Sequence, residues 1–316
     1  MRKLTAATLF VILILMLLAP KTASGGALNG LTLWAGTLLP ILLPFLIVSG
    51  LIVASGLTSY INRILSPVLC RIFPVSPNAC YPLVLGLLCG MPLGAKTIAD
   101  LYRRRDITYA DAMFLLSLSN QASMMFLVSY VAAAELDASA YTFAFLSILY
   151  ISAWIVSVAF RPIYSKGRPS GIRFCAAELS AADAVQDQNS FFALLDRTIT
   201  DSFATITRIG GYIILFSMLA AFVSHMPLPQ SVSAFLGGCL EITGGIHAIC
   251  ACALPAKIKT ALVLGVTAFG GLSGLMQTKS VTLGTGLSVK FYLILKILQG
   301  IVCFLLTYLL LSLISF

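Results

Sequence analysis

What most limits this chain is a series of apolar runs as long as a bilayer is thick. The run from Ser139 to Phe160 carries no charge at all, and others follow Leu28, Ile209 and Lys290. About 20 residues of helix cross the hydrocarbon core. Inside it every backbone N–H and C=O must be satisfied by the protein, so such runs form helices. The apolar runs are too long and too uniform for a soluble protein with a large core, and 10% of residues are charged and 59% hydrophobic, against about 25% charged in ordinary soluble domains. The reading is an all-α polytopic membrane protein with the lipid bilayer as its surroundings.

The formal charge of +9 does not call for nucleic acid. Arg103, Arg104 and Arg105 sit in one short connection, and Arg161, Lys166, Arg168 and Arg173 in another. Lys and Arg concentrate in cytoplasmic loops, and both connections are read as such. The eight cysteines are scattered without a CxxC pair, and His225 and His247 are the only histidines. No disulfide framework, metal site or cofactor is expected. No nucleotide-binding motif and no Ser/Lys or His/Asp constellation stands out, so neither ATP hydrolysis nor an enzyme is expected.

Residues 1–27 have a basic start, an apolar run and then small residues. They read as a first transmembrane helix or a signal-like segment, with retention favoured. Residues 28–316 read as one membrane transporter domain. Its first half covers about 28–135, a connecting span and cytoplasmic loop about 139–208, and its second half about 209–316. Phe191 to Ile206 has helical spacing of apolar residues, as in an amphipathic helix lying along the membrane before a span from Ile209 to Val223.

Within each half the apolar pattern is interrupted. Leu83 to Leu93 is too short to span and breaks at Gly90, Pro92 and Gly94 before turning polar at Lys96. The next run holds Ser117, Ser119, Asn120, Gln121 and Ser123 at its middle. In the second half, Ser231 to Leu254 breaks around Glu241, Gly244 and Gly245, and the following run breaks at Gly270–Gly271. Paired interrupted segments in matching positions are a sequence pointer to a transporter site. The predicted fold is an inverted repeat with two re-entrant hairpins and two broken helices. Lys257 and Lys259 are exceptions to the expected charge bias, and leave the side of the second hairpin open.

The stretches CGMPLGAKTIADLY, LLSLSNQASMMF, LEITGGI and FGGLSGLMQ, in this order and spacing, resemble the YlbJ-like sporulation integral membrane proteins of the wider nucleoside-recognition, or Gate, group. The resemblance covers nearly the whole chain from about Leu28. It implies a fold related to concentrative nucleoside transporters. It also implies a spore-forming bacterium and movement of dipicolinate from the mother cell across the outer forespore membrane. Met91 stands where an aromatic residue is common, and Met124 where a proline is expected.

Candidate substrate-binding residues follow from these breaks. A carboxylate at Glu241 is costly in an apolar region unless paired or hydrated. It reads as a proton carrier, as a ligand for substrate or a coupling cation, or as an acid bonded to backbone freed by the break. Lys96 offers charge to an anion, or snorkels to the interface. Gly90, Pro92, Gly94, Gly244, Gly245, Gly270 and Gly271 open helix ends whose N–H groups attract anions; Gly86 and Gly265 read as packing residues. Asn120, Gln121, Ser123, Thr243, Ser273 and Gln277 offer hydrogen bonds to a small anionic aromatic substrate, or bond between helices. His247 reads as a packed neutral histidine or a partner of Glu241. A nucleoside or nucleobase transporter and a non-transporting scaffold for spore-envelope assembly are the rival readings, and assembly as a homo-oligomer is left open.

Overall fold

The computed structural model describes residues 2–165 and 191–313, and every regular element among them is helical. Lys166, Arg168 and Arg173 of the expected cytoplasmic loop lie outside the described residues. Five helical stretches are long and apolar enough to cross a membrane: Pro20–Ala54, Ser139–Ile163, Phe191–Ser224, Ala256–Val281 and Val289–Leu313. The protein is an integral membrane protein.

Helix α1 (Arg2–Leu18) leads into a long helix made of α2 (Pro20–Thr32), a π turn (Leu33–Leu38) and α3 (Leu39–Ala54). The second span therefore starts before Leu28. The π turn sits just ahead of Pro40, which has no N–H to continue the ordinary helical ladder. This long helix runs antiparallel to α9 (Phe191–Ser224). Gly26 faces Met218 and Ala221, Gly30 faces Ile214 and Ser217, and Gly50 faces Thr198. Trp34 lies on Gly210 and donates to the Ile206 carbonyl at 2.9 Å. Small residues at these points let the two backbones approach closely. The expected membrane-surface helix at 191–206 is corrected by this packing: α9 is continuous, because Thr198, Ser202 and Ile206 are buried on the same stripe as Ile209 and Ile213.

Amphipathic α4 (Thr58–Ile72) meets the next segment at 101°. Two short helices follow, α5 (Cys80–Cys89) and α6 (Leu93–Arg103), then α7 (Tyr109–Leu118), an irregular break, a π-helix (Phe126–Glu135) and α8 (Thr142–Ser165). The second half repeats the order. Short α10 (Gln230–Leu240) and α11 (Ile242–Cys250) precede α12 (Ala256–Phe269), a break at Gly270, α13 (Gly271–Val281) and α14 (Val289–Leu313). Each short pair folds back on a glycine contact. A side chain at Gly94 would press on Gly86 at 2.9 Å, and one at Gly245 would overlap Gly238.

Contacts between the halves come in reciprocal pairs. The first hairpin's α6 touches α13, and the second hairpin's α11 touches the π-helix; α7 touches α14, and α12 touches α8. Helices α8 and α14, the last helix of each half, pack on each other. Two apolar clusters flank the middle, and both draw on the two halves: Leu83, Ile98 and Phe114 with Tyr292, and Leu127 and Leu149 with Ile246 and Leu264. In lipid such clusters hold by close packing more than by exclusion of water.

Candidate functional site

The hairpin tips seat against the helix breaks. At the end of α5 the chain turns through Gly90 at φ 69°, a conformation that glycine adopts without cost. A side chain there would also meet Gln121 O and Ser123 N at 2.6 Å. Met91 N donates to Gln121 O at 2.7 Å, so the first tip is bonded to the break after α7. The second tip makes the matching contact. Leu240 O and Ile242 lie against Gly271, at the break before α13. Met91 crosses between the halves, with its thioether in the notch formed by Gly270 and Gly274.

Behind these tips lies a buried polar centre. Asn120 Nδ2 donates to Thr278 Oγ1 and Tyr292 Oη, each at 2.9 Å. Asn120 Oδ1 is buried with no hydrogen-bond partner. Gln121 Nε2 bonds back to the Ser117 carbonyl, which turns its Oε1 toward α14. There Oε1 accepts from Lys296 Nζ at 2.7 Å and Gln299 Nε2 at 2.8 Å. Lys296 also donates to Gln299 Oε1 at 3.0 Å and is only 2% exposed. Lys296, Gln299, Thr278 and Tyr292 were not among the residues expected from sequence. The signal for Lys296 was present: it is a cation within the last apolar span, where ionisable residues mark sites.

Glu241 lies at the other end of the arrangement. Its backbone is extended at the turn between α10 and α11, and its carboxylate caps α11. Oε1 accepts from Thr243 N at 3.0 Å and Oε2 from Gly244 N at 2.9 Å. Tyr130 from the π-helix donates to Thr243 O at 2.8 Å. A cleft of about 770 Å³ runs along this hairpin; Glu241, Thr243, Gly244, Gly245 and His247 line it together with residues of α2 and α9.

Several expectations change in detail. The second break falls at Glu241; Gly244 and Gly245 lie inside α11, where Gly244 N joins the cap and Gly245 packs on Gly238. Gly94 likewise lies inside α6, against Gly86, whereas Gly90 and Pro92 form the turn. His247 is neither packed nor bonded to Glu241. Its side chain is 74% exposed and pairs with Glu135 at 3.2 Å, because one helical turn and a half separates it from the cap on a different face of α11. Lys96 pairs with Asp100 at 2.9 Å on α6, and Arg103 takes the other Asp100 oxygen. Ser123 caps the π-helix by accepting from Phe126 N. Gln277 donates to Ser273 along α13. Lys259, an exception to the charge bias, donates to the Cys250 carbonyl and so caps the end of α11. Among the described residues no group of His, Cys, Asp and Glu could hold a metal.

Fold and site together define a polytopic helical membrane protein in which two hairpin tips and two helix breaks enclose a polar centre. A family model described as nucleoside recognition, Gate, matches residues 35–166. The chain is 25% identical over 309 residues to the sporulation integral membrane protein YlbJ of Bacillus subtilis (strain 168), covering 89% of this chain and 76% of that protein. The chain is thus similar to a sporulation integral membrane protein over most of its length, and to the nucleoside-recognition family over residues 35–166. No solved structure matches it.

Proposed function

We propose that this protein is a secondary transporter of a small organic anion, dipicolinate in a sporulating cell, working at the outer forespore membrane. The observation that supports it most is the meeting of two hairpin tips with two helix breaks inside the protein. Irregular backbone at membrane depth is tolerated only where protein buries it or water reaches it. Transporters place substrate at such interruptions and give alternating access by moving one repeat against the other. The reciprocal contacts fit an inverted repeat with two re-entrant hairpins. An odd number of spans separates the hairpins, namely the broken helix, α8 and α9, so they enter from opposite sides. The relation to concentrative nucleoside transporters belongs to this same reading.

Substrates here are small aromatic carboxylates, with a proton or cation coupled to their movement. A second reading, nucleoside transport, is favoured by the description of the matching family, nucleoside recognition. Purified protein in proteoliposomes, offered radiolabelled dipicolinate and uridine separately, decides between them. The expected result is protein-dependent uptake of dipicolinate. Uptake of uridine alone favours the second reading, and uptake of neither rejects transport of both.

A further inference from the structure

Among the described cations, Lys296 is unusual in what surrounds it. Lys96 and Arg103 share Asp100, and Arg104 has Asp106. Lys296 is buried, yet its hydrogen bonds go to two neutral amide oxygens, Gln121 Oε1 and Gln299 Oε1. A lysine ammonium has three donors, and these bonds use two. A buried charge without a counter-charge is costly. A carboxylate from outside the protein would remove that cost, and its charge-assisted bond would be stronger than either amide contact.

The neighbouring backbone has the same preference. Gly270, the residue that opens α13, sits so close that a Cβ added to it would be 3.8 Å from Lys296 Cε. The N-terminus of α13 has no side-chain cap, so its first N–H groups and the helix dipole favour an anion at this spot. At α11 the corresponding N–H groups are already taken by the carboxylate of Glu241. The thioether of Met91, from the tip of the first hairpin, fills the Gly270–Gly274 notch, while Leu240 O and Ile242 of the second tip lie against Gly271.

We propose that Lys296 receives a carboxylate of the ligand, with the first turn of α13 as a second set of donors and Met91 as the cover that withdraws to admit it. This assignment rests on the anion-transport reading and names the group that would recognise the anion. Gln121 and Gln299 hold the ammonium by two of its donors, and the third is the one that takes the carboxylate.

The test is ligand binding to the purified full-length protein, followed by thermal shift and calorimetry with dipicolinate, benzoate and succinate. Wild type should bind at least one of them saturably. Lys296→Met should weaken that binding about tenfold or more, as loss of a charge-assisted contact implies, while Lys296→Arg keeps part of it. Gln299→Glu should weaken it as much while leaving the lysine in place, because it supplies an internal counter-charge. Should Lys296→Met fail to fold, Gln299→Glu decides alone. Undiminished binding in these variants, or no binding of any carboxylate by wild type, overturns the assignment. Binding that depends on Lys296 without uptake into proteoliposomes leaves the site standing and removes transport. Uptake of dipicolinate undiminished by Lys296→Met does the reverse.

Discussion

Glu241 shows how a single residue can satisfy two demands at once. An acid at the turn of a hairpin in an apolar region must bond fully or be hydrated. Here both oxygens accept backbone N–H groups of α11, and the side of the cap facing the cleft stays within reach of a solute. Replacing a helix cap by alanine costs about 0.5–2 kcal/mol. Glu241→Ala should therefore lower stability by about 1–2 kcal/mol in detergent, measured by thermal or denaturant unfolding. Unchanged stability would remove the capping role. The acid itself was legible in the sequence as a residue that had to face the interior. Its bonding to backbone N–H groups was one of the readings the sequence offered, although the glycines after it suggested a break where the chain is in fact helical. Gly245 is small for another reason: α10 passes directly against α11 at Gly238, whereas Gly244 has only the Glu241 carboxylate beside it.

At the scale of elements, the ends of helices are tied across the halves. Arg103 at the end of α6 donates to the Val281 and Leu283 carbonyls at the end of α13, each at 2.9 Å. Arg104 donates to the Val53 carbonyl at the end of α3. Cations at the ends of helices satisfy orphan carbonyls and complement the helix dipole. The basic triplet that marks a cytoplasmic loop in sequence thus also clasps three helix ends. Arg103→Met should destabilise the protein by about 1 kcal/mol, a low figure because the side chain is part-exposed and screened. The measurement is a thermal unfolding series against Arg105→Met, whose side chain has no comparable clasp among the described residues. Equal losses in the two variants would argue that Arg103 acts only through charge.

At the scale of the whole molecule, the inverted reading makes a topological prediction. The connection after α13 lies beside the arginines after α6, while Asp137 follows the π-helix whose last residue, Glu135, meets His247 of the second hairpin. In a background without native cysteines, Thr285→Cys and Asp137→Cys should react with a membrane-impermeant maleimide from opposite faces of the membrane. Labelling of both from one face would reject the inverted arrangement.

Apolar run length by itself determined that the chain is a helical membrane protein, because lipid offers the backbone no hydrogen bonds and leaves helices as the solution for such runs. Glycine, proline and polar residues placed in those runs also marked both hairpins and both broken helices. Which polar groups meet was decided only by tertiary structure. Gln121 and Lys296 are 175 positions apart, and each alone reads as a polar residue in an apolar stretch. Helical spacing shows neighbours three or four residues away, but it carries no information about which face of a distant helix packs opposite. The contact between α7, α14 and the two hairpin tips joins Asn120, Gln121, Lys296 and Gln299 into one centre. Lys96 instead meets Asp100 one turn on along α6, a pair of the kind helical spacing does show, while the tertiary packing brings His247 to Glu135.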